Sequence, residues 1–525
     1  MRTKFDRIRN CIILCAFLAA VCGSVSERSF DAVQVGSEGE ELTTLGLTPE
    51  FNYEVPECLP SILVDQVGYA SRSDKLAFFQ GDQLPDTFSV VKAESGQVVY
   101  TGQIEERENE GGGETHISYG DFTEFLTAGH YYIQAAMLGQ SYTFEIAEDP
   151  YVELYHEMLK KYYYNRCGVT LSSELAGEAA RNACHFGEAQ LRSEADTKLD
   201  VSGGWHEDEM SSRDVLTGCR TVNYLLLAYE LYPEVFDDSV GIPESGNEIP
   251  DVLDEVRYEI DWLLKMQDAK SGAVYSAVNS VDNKTAGYLL YVDDINMNAT
   301  IQFAATLSRF SYLYQNYDRA FATQCLQAAD RAYRYARKYL DDITPEEYFH
   351  AAAELYRATG TYGYHSVVKD YLMENPVVDM KNDFVFWGCV TYMSTKQKVD
   401  INLCGDVMKI LMQEGERIAE TSKSSNLLVY TGEGQIIGSG MLRDITRLTV
   451  VDHIITNHEY ATVLQNHLHY MLGRNLQSVS YLDDVGSRNY QEIDESQGIM
   501  NQIDLNAELV LMMSGIVEGL EAEEE

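Results

Sequence analysis

The chain has 525 residues, 45% of them hydrophobic, and a formal net charge of -44 at pH 7. This length and apolar content support a large buried core and more than one domain, so a wholly disordered chain is excluded. Because so acidic a surface repels nucleic acid and anionic lipid, we expect neither as a partner and attribute the charge to solubility.

The first residues have the pattern of an export signal. Four basic residues within the first nine positions precede the apolar run CIILCAFLAAVC, and small residues follow at Gly23 and Ser24. This order is typical of a secretory signal peptide, so we expect residues 1–26 to direct secretion. The run is too short for a comfortable membrane span. A lipid anchor at Cys22 is the less favoured alternative, because Val21 fits a lipobox poorly.

A polar segment and then a β pattern follow the signal. Residues 27–57 are rich in Ser, Glu, Gly and Thr, and we expect them to form a flexible leader. Over residues 58–148, FSVVKA and QVVYTGQI flank Glu94-Ser95-Gly96, a hairpin signature with a glycine available for positive φ. HYYIQAA and SYTFEIA form a second such pair. Several short strands with turns between them predict a small β-sandwich.

The apolar period becomes helical after Pro150. Residues 303–314 and 326–340 repeat apolar side chains at helical spacing, and further helical runs continue to the C-terminus. We therefore expect residues 149–525 to form an all-α domain of stacked helical hairpins. Glu354, in the middle of AAAELY, is interpreted as a core-facing carboxylate with a partner.

The cysteines do not form a small disulfide framework. Three of the ten lie in the expected signal peptide, and the remaining seven are an odd number scattered through a long chain. Cys167, Cys184, His185 and His206 together offer two thiolates and two imidazoles, which suit a tetrahedral zinc site. Their spacing is irregular, so two buried cysteines and two ordinary histidines are the alternative from the residues alone.

Six segments occur in order from about residue 62 onward: LVDQVGYASRSDKLAFF, YYYNRCGV, ACH, IPESGNEIPDVLDEVRYEIDWLLKMQ, AAAELYRATG and HYMLGRN. Together they resemble glycoside hydrolase family 9, the inverting cellulases, in the subgroup with an N-terminal immunoglobulin-like domain. The resemblance implies a mainly α fold, an (α/α) barrel of six helical hairpins behind an immunoglobulin-like β-sandwich, with a cleft across one end. It also implies a cellulose or β-glucan ligand, and a structural zinc ion held by Cys167, Cys184, His185 and His206.

The residues that carry the family's chemistry are altered in this chain. Inverting glycosidases use an acid and a base whose carboxyl groups stand about 6.5–9.5 Å apart. The family's base loop reads Gly-Gly-Trp, Tyr or His, then Asp-Ala-Gly-Asp. When this loop is aligned with GGWHEDEM, the first Asp of the family corresponds to Glu207 and the second Asp, which is the base, corresponds to Met210. The family's acid, the Glu of Asn-Glu-Val-Ala-Ile-Asp-Tyr-Asn-Ala, falls on Met500 of IMNQIDLNA. A thioether exchanges no proton at either position.

Two functional interpretations follow. The first is a secreted polysaccharide-binding relative of the family that is weakly active or non-catalytic. The family usually has a His-His-Arg segment in its cleft after GRN, and the corresponding stretch of this chain, VGSRNYQEIDESQ, contains no histidine. The alternative is an active, inverting, endoglucanase-type hydrolase with relocated carboxylates, using Glu207 as base and Glu495 or Asp494 as acid. A purely structural surface protein is a third class. The glycan, its linkage and the oligomeric state stay open.

Overall fold

The computed structural model describes residues 60–81, 83–106, 117–208, 211–283, 287–430, 439–455, 457–489 and 498–522, with backbone only at 282, 283, 287, 439, 521 and 522. The expected signal peptide and leader lie outside these residues. The described elements belong to one compact unit, Leu59–Glu525. None of the helices in the described ranges combines the length and apolar character that a membrane span requires.

The N-terminal part of this unit is a sandwich of two antiparallel-rich sheets. Its strands are β1 (Ile62–Leu63), β2 (Gly68–Ala70), β3 (Leu76–Gln80), β4 (Thr87–Lys92), β5 (Val98–Gln103), β6 (Glu105–Glu106), β7 (Ile117–Asp121), β8 (Gly129–Ala135), β9 (Gly139–Gln140) and β10 (Phe144–Ala147). One sheet has the order β1-β3-β7-β6 and the other β2-β10-β8-β4-β5, with β9 paired to β8. Buried aromatic rings, among them Tyr69, Phe88 and Phe122, fill the space between the sheets.

Both predicted hairpins are confirmed. β4 and β5 pair antiparallel, and Gly96 in the connecting turn has a φ of 67°, a conformation that costs glycine little because it has no Cβ. The second pair is β8 with β10, antiparallel, with the short strand β9 between them in sequence.

Thirteen helices follow within the described residues: α1 (Val152–Asn165), α2 (Ser173–Ala176), α3 (Val215–Leu231), α4 (Asp251–Lys265), α5 (Met297–Tyr314), α6 (Arg319–Ala336), α7 (Pro345–Thr359), α8 (Tyr362–Glu374), α9 (Asp383–Ser394), α10 (Ile401–Ser424), α11 (Ser439–Ile454), α12 (Ala461–Met471) and α13 (Ile503–Ala522). Side-chain caps fix where several of them begin. Asn296 caps α5, Asn382 caps α9, and Thr344 forms a capping box with Glu347 at the start of α7.

The helices alternate between an inner ring and an outer layer. The inner ring consists of α3, α5, α7, α9, α11 and α13, and α13 packs back against α3. Between α9 and α11 the ring is joined by an ion pair, Arg447 to Asp383, at 2.6 Å. The predicted (α/α) barrel of six hairpins is confirmed. Because the chain alternates between the layers, the N-termini of the inner helices share one end of the barrel, which we call the barrel mouth.

The expectation that everything after Pro150 is helical is wrong in one respect. Five strands form a sheet of order β12-β11-β15-β14-β13 beside the barrel: β11 (Glu188–Leu191), β12 (Glu194–Asp200), β13 (Arg213–Asp214), β14 (Ala277–Asn283) and β15 (Gly287–Val292). The β12 sequence EADTKLD lacks apolar alternation, and most of its side chains are exposed. Its strand conformation therefore depends on the hydrogen-bonded ladder with β11, which a hydrophobic pattern does not reveal.

Polar contacts fasten the sandwich to the barrel. Asp65, buried just after β1, accepts hydrogen bonds from the backbone N–H groups of Val67 (2.7 Å) and Gly68 (3.0 Å). Its Oδ2 atom also lies 2.8 Å from Nδ1 of His469, near the end of α12. The Tyr151 hydroxyl donates to the carbonyl of Gly68 at 2.9 Å. The two domains are thus joined by buried, directional contacts and not by a linker alone.

A cluster of four charges lies inside the inner ring. Arg309 on α5 contacts Glu230 of α3 at 2.7 Å and Glu354 of α7 at 3.1 Å. Arg357, also on α7, contacts the same two carboxylates at 2.6 and 2.7 Å. The Thr391 hydroxyl of α9 donates to Glu354 at 2.6 Å. The interpretation of Glu354 as a paired, core-facing carboxylate is confirmed, and the cluster joins four of the six inner helices.

We predict that Glu354→Ala lowers the free energy of unfolding by about 3–5 kcal/mol, because it leaves two buried guanidinium groups, Arg309 and Arg357, to share the single carboxylate of Glu230. Urea titration followed by far-UV circular dichroism would measure the change. The matched control is Glu374→Ala, which removes an exposed carboxylate from the end of α8 and should change stability by less than about 0.5 kcal/mol. Equal stability of the two variants would contradict the role given to the cluster.

Candidate functional site

Four thiol and imidazole side chains converge beside the barrel mouth. Cys167 follows α1, Cys184 and His185 precede β11, and His206 lies in the loop between β12 and β13. Their donor atoms all lie within 4.8 Å of one another. Cys184 Sγ lies 3.3 Å from Nε2 of His206. The structure therefore brings together the four residues predicted as zinc ligands.

The surroundings of this cluster suit a bound cation. Among the described residues, Nδ1 of His185 is buried without a hydrogen-bond partner, so one imidazole nitrogen lacks a protein acceptor or donor. Hydrogen bonding from the Cys167 thiol holds the pKa of Cys184 below its ordinary value, and Arg181 donates to Cys184 Sγ at 3.1 Å. A thiolate and free imidazole nitrogens are the forms in which these groups bind metal.

The GGWH segment is held from the opposite side by two buried carboxyl groups of α4. Glu259 accepts the backbone N–H of Trp205 at 2.9 Å, and Glu255 accepts the indole N–H at 3.4 Å. Burial raises the pKa of Glu255 to about 7 and that of Glu259 to about 8. Arg166 pairs with Glu255 at 3.0 Å. The cluster of Cys and His side chains and this anchor hold the loop on two sides next to the mouth.

The candidate base residue is present but engaged. Glu207 is half-buried, and its Oε1 accepts the backbone N–H of Asp214, the N-cap of α3, at 2.6 Å. Burial raises the pKa of Glu207 well above its ordinary range, with Asp214 adding to the rise. Asp208 is exposed and accepts the N–H of Ser212 at 2.9 Å. Met210, at the family's base position, lies outside the described residues.

The acid position is apolar and closed. Met500 lies in a 3₁₀ turn, Ile499–Asn501, and its side chain is 0% exposed. The carboxylate of Asp483 accepts the backbone N–H groups of Gly498 and Asn501, each at 2.9 Å, and holds the turn in place. The alternative acids Asp494 and Glu495 lie outside the described residues.

A pocket of about 300 Å³ opens at the barrel mouth. The first two turns of four inner helices line it, with Arg220 from α3, Asn298 and Gln302 from α5, Glu347 from α7, and Phe384 and Trp387 from α9. Phe384 is half-buried, and its ring meets that of Trp387 edge to face at 6.0 Å. In the described part of the chain, Gln302 Nε2 and Trp387 Nε1 have no hydrogen-bond partner. The pocket thus combines aromatic surface with amide groups.

Arg220 gathers three carboxylates at one side of this pocket. Its guanidinium contacts Asp383, Asp504 (3.4 Å) and Glu508. The Tyr224 hydroxyl donates to Asp383 at 3.0 Å. Arg447 also pairs with Asp383, so two cations face three carboxyl groups, and the described residues around Arg220 present acceptors for hydroxyl groups without an excess of positive charge. Such a surface suits a neutral ligand rich in hydroxyl groups.

Comparison with known proteins identifies the chain. The family profile described as glycosyl hydrolase family 9 matches residues 151–502, about two thirds of the sequence. The chain belongs to this family. A second profile, the cellulase N-terminal Ig-like domain, matches residues 58–140.

Relatives and solved structures agree with this assignment. A cellodextrinase of Butyrivibrio fibrisolvens is 28% identical over 484 residues, covering 82% of this family 9 chain and 86% of the relative. The structure of Bacteroides ovatus GH9 superposes with a TM-score of 0.77 at 20% identity, covering 88% of this chain and 99% of that one. A Zn-binding triple mutant of family 9 endoglucanase J30 gives a TM-score of 0.75 at 22% identity, covering 85% and 99%. At these identities the two structures show the fold alone.

Sequence reasoning missed the Arg220 network and the pocket beside it. Arg220 lies between apolar residues in LTGCRTV, and its partners Asp383 and Glu508 are 163 and 288 residues away. The signal that could have found them is positional. Each of these residues falls in the first two turns of an inner helix, and those turns share the barrel mouth.

Glu508 leads to a pH-dependent prediction. Burial raises its pKa to about 7 in the folded protein, against 4.5 in an unfolded chain. The folded state therefore keeps a proton that the unfolded state has lost, and stability falls as pH rises from about 4.5 through 7, with a slope of up to about 1.4 kcal/mol per pH unit. We predict that Glu508→Gln flattens this fall. Denaturant titrations between pH 5 and 8 would measure it.

The control for this prediction is Glu234→Gln, which alters an exposed carboxylate after α3 and should keep the wild-type slope. Identical slopes for wild type and Glu508→Gln would show that Glu508 is ionised throughout this range, contrary to the prediction.

Proposed function

We propose that this family 9 chain is an exported β-glucan-binding protein that has little or no hydrolytic activity. The observation that carries the proposal is the contrast between the acid position and the pocket at the barrel mouth. At the acid position the chain has Met500, which is fully buried, while the barrel mouth keeps an open pocket with aromatic and amide groups. Binding needs only the second feature, whereas inverting hydrolysis also needs two correctly spaced carboxyl groups.

The chemistry of the mouth pocket favours a neutral sugar. The half-buried Phe384 supplies ring surface on which the C–H face of a pyranose can lie, the buried Trp387 packs edge to face against that ring, and Asn298 supplies an amide for the hydroxyl groups. Near Arg220 three carboxyl groups face two cations, so an anionic ligand gains no counter-ion there, whereas hydroxyl groups find acceptors. Similarity to a cellodextrinase supports a β-linked glucan as the neutral sugar.

Hydrolysis by relocated carboxylates is the second candidate function. Glu207 favours it, because a carboxyl group remains on the loop that bears the family's base. Against it, Glu207 accepts the N–H of Asp214, the N-cap residue of α3, at 2.6 Å, and a catalytic role would compete with that bond. The required acid would be Asp494 or Glu495. A protein that still binds glucan but no longer hydrolyses it is the simpler account, because the chain keeps the family's fold and the four candidate zinc ligands.

We further propose that Cys167, Cys184, His185 and His206 hold a structural zinc ion. Two sulfur and two nitrogen donors within 4.8 Å suit tetrahedral Zn²⁺, and a four-ligand set leaves no open position for substrate. The ion would fasten the GGWH loop to the end of α1 and so keep one wall of the cleft in place. The Zn-binding structural relative supports this assignment.

For the sugar site, we predict that the full-length exported chain binds cello-oligosaccharides and that Phe384→Ala weakens the binding about tenfold, because an aromatic contact of about 1.5 kcal/mol is lost. Isothermal titration calorimetry with cellohexaose would measure the affinity. Phe125→Ala, which removes a half-buried ring from the β-sandwich, is the matched control and should bind as the wild type does.

The same protein should release no reducing sugar from mixed-linkage β-glucan. Turnover that disappears in Glu207→Gln would establish the relocated-carboxylate candidate and contradict the proposal. Binding unaffected by Phe384→Ala would remove the mouth pocket as the site.

For the metal, we predict one zinc ion per chain in the purified protein and a lower melting temperature after treatment with a chelator, because metal-binding energy contributes to folding. Elemental analysis and differential scanning calorimetry would measure the two quantities. Cys184→Ser should lose both the zinc and the response to the chelator, whereas Cys404→Ser, a half-buried thiol outside the cluster, should keep both. A chain that folds equally well with and without metal would contradict the structural role.

A further inference from the structure

A second open groove lies at the end of the barrel opposite the mouth. It runs along α8, between the C-terminal end of α7 and the connection from α9 to α10, and encloses about 790 Å³. We call it the α8 groove and define it by Tyr356, Tyr362, His365, Lys369, Asp400 and Ile401. Neither the zinc cluster nor the Arg220 pocket shares a residue with it.

The floor of the α8 groove is built from interlocked side chains. The rings of Tyr356 and His365 stack at 4.4 Å with planes 5° apart. His365 Nε2 lies 3.0 Å from the Tyr392 hydroxyl, which also accepts the backbone N–H of Asp400 at 2.9 Å. The Tyr356 hydroxyl donates to the carbonyl of Lys398 at 2.5 Å. A floor held by this many contacts loses little conformational entropy when a ligand binds.

At the edge of this floor lies a highly exposed tyrosine ring. Tyr362, the first residue of α8, is 77% exposed, and its ring meets His365 only edge-on at 6.3 Å. Ile401, at the start of α10, is 82% exposed, and Met373, near the end of α8, is 65% exposed. Each leaves apolar surface in water that a ligand with an apolar face would cover.

The charges of the groove balance one another. Its lining contains Lys369, Lys398, Asp370 and Asp400, two of each sign, on a chain whose net charge is -44. Lys369 pairs with Asp400 at 2.8 Å, and Ser366 donates to Asp370 at 3.3 Å. Such a surface does not favour a strongly basic or a strongly acidic partner. It presents alternating hydrogen-bond donors and acceptors beside an aromatic face, which suits a neutral ligand rich in hydroxyl groups.

We propose that the α8 groove is a second glycan site, which binds a stretch of neutral β-glucan chain against Tyr362. The choice of β-glucan as the neutral ligand rests on the function proposed above, whereas the location and chemistry of the groove do not. A polysaccharide held at both ends of the barrel would bind more tightly than an oligosaccharide that reaches one site, because the second contact is intramolecular.

The test compares single-site variants of the full chain on one probe, cellohexaose, by isothermal titration calorimetry. We expect the wild-type chain to bind two cellohexaose molecules, one at each site. Tyr362→Ala should abolish binding at the α8 groove, or weaken it at least about tenfold, and leave the Phe384-dependent binding at the mouth unchanged. Tyr339→Ala, which removes a 43% exposed tyrosine outside the groove, is the matched control and should change nothing. Tyr362→Trp keeps an aromatic face, so it should still bind cellohexaose at the α8 groove if the ring acts by stacking.

The outcomes separate the two proposals. Binding that depends on Phe384 and not on Tyr362 overturns the groove and leaves the mouth site standing. Binding that depends on Tyr362 and not on Phe384 supports the groove and overturns the mouth site. Loss in both Tyr362→Ala and Tyr362→Trp, with unchanged melting temperatures, overturns the stacking role. A wild-type chain that binds no cellohexaose overturns both sites.

Discussion

The barrel depends on the buried ion cluster of Glu230, Arg309, Glu354 and Arg357. Two guanidinium and two carboxylate groups are removed from water at the centre of the fold, and each satisfies the opposite charge at 2.6–3.1 Å. Removing any one member would leave three charges with an uncompensated excess of one sign in a buried position, which is among the larger penalties a point mutation can impose. The cluster therefore joins the C-terminal halves of α3, α5 and α7, at the end of these helices away from the mouth.

Because the inner helices are held by such contacts, catalytic residues in the loops of the mouth can be replaced without disturbing the helices that line the pocket. The residues that carry chemistry in this family lie in loops and short turns at the mouth, and here the acid position holds a methionine packed as a core residue. The contacts that we propose for binding come instead from inner helices. A chain can thus exchange a carboxyl group for Met500 at no cost to packing while Phe384 and Trp387 stay in place.

Much of the architecture could be predicted from the sequence, because hydrophobic period and turn residues report local structure directly. The hairpin at Gly96, the helical half and the paired state of Glu354 all follow from such signals. The sheet beside the barrel could not be predicted, because the polar β12 is a strand only through its neighbour. In the site, the order of the family's motifs pointed to the metal-binding residues and to Met500. The Arg220 network and the α8 groove depend on which helix ends meet in space, and no local pattern encodes that.

The central claim is that this chain holds a β-glucan at the barrel mouth and leaves it intact. A crystal structure of the full chain after prolonged incubation with cellohexaose tests both parts at once. The account predicts an uncut oligosaccharide against Phe384, with Met500 still buried beneath the surface. Shortened products at the mouth, or a mouth without sugar while the oligosaccharide binds elsewhere on the chain, would contradict it.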